Sequence, residues 1–293
     1  IGITGSYGKT STKEFLCQIL SEKFKVLATK EHQNSEVGIS QCILNDLRED
    51  HEVFIVEMGA YNRGGIKLLC DIARPKIGIL TGINEQHMAT FGSQENIIKT
   101  KYELIESLPE MGFAVFNGDN EYCQALYKET RLSKRVCYTK FLALDQEVVG
   151  GDYWAKELKV EKDFFSLKIF SGRWGEIGTL KVNLLGGSLA QNVLMAAVVA
   201  KEILGMTLED IQRACQKIKP EQGGMRLIKG INGLNVIDST YSSNPDGVIS
   251  HLDYLDVWPG KKVIVMPCLI ELGKASKEVH YRIGQNIDEV CDL

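Results

Sequence analysis

Hydrophobic positions along this chain follow two rhythms. Short unbroken apolar runs alternate with stretches in which apolar residues recur every three to four positions. The runs Val53-Phe54-Ile55-Val56, Ile77-Gly78-Ile79-Leu80 and Phe113-Ala114-Val115-Phe116 are predicted as buried strands, and Ile1-Gly2-Ile3 as the end of another. Helical spacing appears in Phe15, Leu16, Ile19 and Leu20, and again in Ile97, Ile98, Leu104, Ile105 and Leu108. Such alternation predicts a doubly wound α/β fold with a mostly parallel sheet, whose strand ends run into polar loops where ligands sit. Residues 140–183 change rhythm, with Phe164, Leu167, Ile169 and Leu180 in a strand-rich stretch. An Ala-rich helix is predicted over 189–204, and Thr207-Leu208-Glu209-Asp210 caps the next one. A basic-to-Gly-rich break at 217–224 divides the chain into units 1–219 and 220–293. In the second unit Asn235-Val236-Ile237-Asp238 and Val263-Ile264-Val265-Met266 are predicted as buried strands flanking a helix near 245–255.

Composition narrows the class. The 293 residues suit about two domains of ~150 each. At 44% hydrophobic and 25% charged they describe an ordinary globular protein. A net charge of −4 leaves no basic surface for nucleic acid. No apolar run approaches the ~18–20 residues a membrane span needs, and no secretory signal is present, so a cytoplasmic protein without membrane insertion is expected. The eight cysteines include no C-x-x-C pair and suit a reducing compartment. Residue 1 is not Met and lies at a strand end, while residue 293 follows a helix-like stretch, as expected of a segment of something longer.

The chemistry begins at once. Thr4-Gly5-Ser6-Tyr7-Gly8-Lys9-Thr10-Ser11 joins the first strand end to a helix. It is a tight T-G-x-x-G-K-T form of the phosphate-binding loop, in which Ile3 occupies the first glycine position of the longer pattern. Gly5, Ser6, Gly8 and Ser11 supply backbone and hydroxyl donors at a helix N-terminus. Lys9 reaches toward β- and γ-phosphates, and the Thr10 hydroxyl suits Mg²⁺. Glu57 ends a strand, where a carboxylate either faces solvent or holds a cation opposite Thr10. His87 follows another strand as a structural residue or a ligand. Lys101 shares the helical face of Ile97 and Leu104, whereas Lys99 points away. A lysine so placed either snorkels to water or loses its proton and becomes able to take up CO₂ as a carbamate.

In order, Thr4-Gly5-x-x-Gly8-Lys9-Thr10, Asn34-x-x-x-Gly38, Glu57-Met58-Gly59-Ala60, His87-x-x-x-Phe91-Gly92-Ser93, Lys101-x-x-Leu104 and Asn117-Gly118-Asp119 form a set. Together they resemble the Mur ligases, ATP-dependent amide-forming enzymes of peptidoglycan precursor synthesis. The forms at 57–60, 91–93 and 117–119, with Ile270-Glu271-Leu272-Gly273, are most similar to the branch that adds D-alanyl-D-alanine to a UDP-muramoyl-tripeptide. The resemblance implies a P-loop central ATPase domain over 1–219 and part of a Rossmann-like carboxy-terminal domain over 220–293, with the UDP-sugar domain outside the chain.

Position by position, the resemblance implies that Gly5, Ser6, Gly8, Lys9, Thr10 and Ser11 hold ATP phosphates. Thr10 and Glu57 would bind one Mg²⁺, and His87 with carbamylated Lys101 a second. Lys9, His87 and Lys101 are then the catalytic set. Asn192 matches an adenine contact, Arg226 and Asp238 reach the nucleotide when the domains close, and Asn34 and Asn62 face substrate. The chain departs from the family's G-x-H-N-x-x-N at Gly186-Gly187-Ser188-Leu189-Ala190-Gln191-Asn192, and carries Ser239 and Ser40 in place of an acid and a proline. The implied partners are a UDP-muramoyl-peptide and D-alanyl-D-alanine, acting on a monomer. A diaminopimelate- or lysine-adding ligase and a folylpolyglutamate synthase are the alternatives within this chemistry. A P-loop kinase or GTPase would share only the first ten residues, and a silent binding relative would not need Lys9, Glu57 and Lys101 together.

Overall fold

A computed structural model of the chain describes all residues except 31–32, 85–90, 132–133, 142–151, 221–224, 241–244, 270–271 and 273–275. The elements over the first half are β1 (Gly2–Thr4), α1 (Lys9–Leu20), β2 (Val26–Ala28), α2 (Glu36–Asn45), β3 (Val53–Glu57), α3 (Gly65–Ala73), β4 (Ile77–Leu80), α4 (Gln94–Glu106), β5 (Phe113–Asn117) and α5 (Glu121–Glu129). There follow β6 (Lys134–Phe141), β7 (Tyr153–Val160), β8 (Phe165–Ser171), β9 (Gly175–Val182), α6 (Ala190–Val198) and α7 (Leu208–Lys217). The last are β10 (Arg226–Lys229), β11 (Asn235–Asp238), α8 (Pro245–Asp256) and α9 (Ser276–Val290).

Among the described residues one sheet runs β2-β3-β1-β4-β5-β6-β7-β8-β9. The pairs from β2 through β7 are parallel, and β7-β8-β9 are antiparallel. Thus the strand-rich stretch read at 140–183 is a meander that extends the parallel sheet. Alternate residues of each central strand enter two cores. Ile3, Val53, Ile55, Ile77, Ile79 and Val115 meet Phe15, Leu16, Ile19 and the 190–200 helix on one face. Val56, Leu80, Ala114 and Phe116 meet Ile66, Leu69, Ile97 and Leu104 on the other. Both faces of a parallel sheet are therefore covered, which is why its strands read as unbroken apolar runs. Leu104 of α4 presses over Gly2 and Gly78, where no side chain stands between helix and sheet. Ser35, Ser93, Asn120 and Thr207 each accept a backbone N–H at a helix start.

Three expectations are corrected. The helix over 189–204 is α-helical only to Val198 and continues as a π-helical turn, Val199–Ile203. Asn235–Asp238 is a strand but not a buried one, since it pairs antiparallel with Arg226–Lys229 in a separate ribbon that leaves Val236 exposed. Residues 263–266 form no strand at all; Val265 is 92% exposed. Among the described residues this run donates one backbone bond, Ile264 N to Leu293 O, with Asp292 N donating to Lys262 O just before it, and an apolar run without a neighbouring ladder has nothing to hold it as sheet.

Candidate functional site

The C-terminal ends of β1, β3, β4 and β5 lie along one edge of the sheet, and the polar residues that follow them converge there. Residues 4–8 turn sharply between β1 and α1. Gly8 stands at φ 75°, a left-handed conformation that costs a side-chain-bearing residue roughly 1–2 kcal/mol. A side chain at Gly5 would collide with the Thr81 hydroxyl. The loop is braced from β4, with Ser6 N donating to Gly82 O at 2.7 Å, Asn84 N to Ser6 Oγ at 3.2 Å, and Thr81 Oγ1 to the Tyr7 carbonyl. Asn117 and Asn120 hold that brace in turn, donating to Thr81 O and Ile83 O at 2.8 Å each. No side chain caps α1 and no acid stands in its first turn, so its leading N–H groups and the positive end of its dipole are open to an anion.

Lys9 curls back over this loop, its Nζ donating to Gly5 O at 3.0 Å and Ser6 O at 3.3 Å. Burial lowers its pKa, and the nearby Glu57 charge partly opposes that. Thr10 and Ser11 follow in the first turn, Thr10 exposed and Ser11 half-buried. Glu57 is buried at the end of β3; its backbone N–H donates to Thr29 Oγ1, and its Oε1 accepts from Asn34 Nδ2 at 3.4 Å. Asn34 is thereby brought into the site, and its carbonyl accepts from Gly59 N. Lys101 is 4% exposed on the buried face of α4, with Phe91 beneath its ammonium at 5.8 Å. Burial first, and then the charge of Lys9, pull its pKa down to about 8, against the pull of Glu103. Lys99, on the opposite face, is half-exposed and pairs with Glu95.

The remaining assignments fare unequally. Asn192 joins the loop, but its amide is spent on it: Nδ2 donates to Gly8 O at 3.2 Å and Thr12 Oγ1 at 3.0 Å. Asn62 is exposed in the turn before α3, where its carbonyl accepts from Gly65 N. Arg226 and Asp238 face each other as ladder partners at the end of the β10–β11 ribbon, and Asp238 Oδ1 accepts from Thr240. His87 lies outside the described residues. Reading the sequence missed Lys13, which is fully buried one turn after Lys9, with its Nζ 3.8 Å from Glu57 Oε2. The spacing that marked Lys101 would also have marked Lys13, since it stands three residues before Leu16 and two before Phe15.

Among the described residues no three His, Cys, Asp or Glu side chains come together as a metal cage. What the site offers a cation is one buried carboxylate beside an anion-binding loop. That donor set suits Mg²⁺, which takes one or two protein oxygens and completes its shell with phosphate and water.

A phosphate-binding loop at a sheet edge, flanked by a strand-end carboxylate, defines a P-loop nucleotide-binding α/β protein. The Mur ligase middle domain matches residues 3–200, more than half of the chain, and the chain belongs to that family. It is similar to UDP-N-acetylmuramoyl-tripeptide–D-alanyl-D-alanine ligase of Synechocystis, at 32% identity over 98% of this chain and 59% of that protein, and to its namesake in Bacillus subtilis, at 29% over 97% and 59%. Among solved structures it superposes on MurF from Acinetobacter baumannii with a TM-score of 0.82 at 26% identity, covering 98% of this chain and 60% of that one. On the MurF ligase from Thermotoga maritima in complex with ADP the TM-score is 0.79 at 29% identity, covering 99% and 64%. The chain thus spans about three-fifths of the length of the relatives it matches. Among the described residues no helix is long and apolar enough to cross a membrane.

Proposed function

We propose that this chain is the ATP-binding centre of a carboxylate–amine ligase that adds D-alanyl-D-alanine to UDP-N-acetylmuramoyl-tripeptide. The observation that carries the reading is the braced loop of residues 4–11 lying between buried Glu57 and buried Lys101 in a chain whose relatives bear that name. The ADP in a similar ligase supports ATP as the nucleotide. A cytoplasmic monomer, divided near residue 220, goes with this reading.

Forming an amide from a carboxylate requires a better leaving group than oxide. The γ-phosphoryl group passes to the substrate carboxylate, an amine attacks the acyl phosphate, and inorganic phosphate departs from the tetrahedral species. In this scheme the loop amides and the start of α1 bind the phosphates, and Lys9 leaves its Gly5 and Ser6 carbonyls to meet the transferring group. Thr10 and Glu57 would hold one Mg²⁺, and His87 with Lys101 a second. The chemistry Mg²⁺ would supply there is neutralisation of charge on the phosphoryl oxygens. Lys101 serves as a carbamate: its neutral amine adds to the carbon of CO₂ and gives up a proton, which replaces a buried cation by an anion. Asn34 and Asn62 face substrate. Asn192 keeps the loop in shape from below and lies near the adenine, while Arg226 and Asp238 reach the nucleotide when the second unit closes.

The test is phosphate release from ATP by the full-length protein across UDP-muramoyl acceptors and amines. Release that requires both the tripeptide acceptor and D-alanyl-D-alanine supports the reading. Release with a dipeptide acceptor and diaminopimelate or lysine moves the protein to another branch. Release that no acceptor stimulates overturns the ligase assignment.

A further inference from the structure

Lys13 is the least expected charge in the molecule. Its side chain is fully buried between α1, α2 and the end of β3, in surroundings that include Cys17 and Cys42. An isolated ammonium there would be costly, and only a compensating charge makes it tolerable. Two carboxylates stand near. Glu14 Oε1 is 3.1 Å away on the rim, with about a third of its side chain exposed, and Glu57 Oε2 is 3.8 Å away in the interior. Neither lies in the direction of a sound hydrogen bond, so the ammonium makes charge contact without being locked to an oxygen. Lys13 therefore occupies the side of Glu57 away from Asn34, whose amide meets the other carboxylate oxygen.

This arrangement bears on how a cation could arrive. Glu57 is the one buried carboxylate among the described residues, and two cations face it, buried Lys13 at 3.8 Å and Lys9 nearby. A bare divalent ion would meet more positive charge than negative. Nucleotide phosphates bring the negative charge that reverses this balance. At separations of 4–6 Å in partly buried surroundings such interactions are large enough to decide occupancy.

We propose that Lys13 is a positioning residue that serves as the resident counter-ion of Glu57, so that a divalent cation binds Glu57 tightly only together with nucleotide. This rests on the reading of Glu57 as a metal ligand. Lys13 supplies compensating charge beside the buried carboxylate while no cation is present. It also raises the cost of loading a cation alone, and by linkage this makes metal and nucleotide strengthen each other's binding.

The experiment measures Mn²⁺ binding to the full-length protein by loss of the free-ion paramagnetic resonance signal, with and without ADP. For the wild type, weak binding of Mn²⁺ alone and at least tenfold tighter binding with ADP are expected. Lys13→Met fills the same space without charge. It is expected to bind Mn²⁺ alone at least fivefold more tightly and to lose a matching part of the ADP enhancement, whereas Lys13→Arg retains wild-type coupling. Lys13→Gln repeats the measurement if the Met variant does not fold. Unchanged Mn²⁺ affinity and unchanged ADP enhancement in a folded, charge-free variant would overturn the proposal. Glu57→Gln separates the two readings. If it abolishes Mn²⁺ binding while the Lys13 variants change nothing, Glu57 is a ligand and Lys13 merely a structural partner. If Glu57→Gln leaves Mn²⁺ binding intact, the metal reading itself fails.

Discussion

The loop of residues 4–11 and the ribbon of residues 226–238 both carry charges that the family resemblance assigns to nucleotide, yet they are built in opposite ways. The loop grows out of buried parallel strands. Thr4, Ser6, Thr81 and Asn117 around it are buried, and each bond that shapes it is anchored in the core. The ribbon has two strands, with Ile228, Ile231, Leu234 and Val236 exposed along it. In the first region charge is already desolvated and aimed, so it acts strongly on a ligand and weighs on stability. In the second, charge is solvated and its removal leaves the fold almost untouched. Preorganisation and solvent exposure are thus divided between the two regions.

The sharpest way to test that contrast is Lys9→Ala. It is expected to lower turnover in the phosphate-release assay a hundredfold or more, about 2.7 kcal/mol of transition-state stabilisation. Near-normal turnover would remove the loop from catalysis. Next comes Lys101→Met, read by thermal unfolding in CO₂-depleted buffer. The folded state disfavours the ammonium, with a pKa near 8 against 10.5 for the ordinary side chain. The penalty is present in full below pH 8 and is lost as pH rises from there through 10.5, because the unfolded chain then ceases to bind the extra proton. The variant is therefore expected to be more stable than wild type by about 3 kcal/mol at pH 7, and the gain is expected to shrink by pH 10. A pH-independent difference would mean that Lys101 keeps its charge solvated.

Smaller effects probe the other side. Arg226→Ala is expected to lower kcat/KM for ATP about tenfold, near 1.4 kcal/mol, while its melting temperature stays within about 1 °C of wild type. Equal losses in activity and stability would place the ribbon with the loop. Solution scattering that shows compaction with an ATP analogue and substrate would support the closure through which Arg226 is proposed to act, and unchanged dimensions would count against it. Lys99→Ala, which removes an exposed pair with Glu95, is expected to change stability by less than about 0.5 kcal/mol and turnover hardly at all.

The sheet was legible because parallel strands covered on both faces leave unbroken apolar runs, and Ile3, Ile55, Ile79 and Val115 fall where that rule puts them. Lys101 was legible because a helix repeats every 3.6 residues, so a charge out of phase is visible without coordinates. Lys13 satisfies the same test and was passed over because it follows a phosphate-binding motif, where charge is read as chemistry. The run at 263–266 has the composition of a strand, but a strand is a relation between two segments, and among the described residues it joins no ladder. The bonds from Asn192 to Gly8 and Thr12 join residues 184 and 180 positions apart, a pairing that no local pattern carries.

That long reach has a consequence in time. The phosphate loop leaves the ribosome well before its last brace, on the helix at 190–198. At about 5–20 residues per second, the 184 residues that separate Gly8 from Asn192 take roughly 10–40 s to synthesise. Throughout that interval α1 lacks the helix it packs against, and Phe15, Leu16 and Ile19 lack the core residues that helix supplies. The nascent chain therefore completes its nucleotide loop late, and until then the apolar face of α1 stays open to chaperones and proteases.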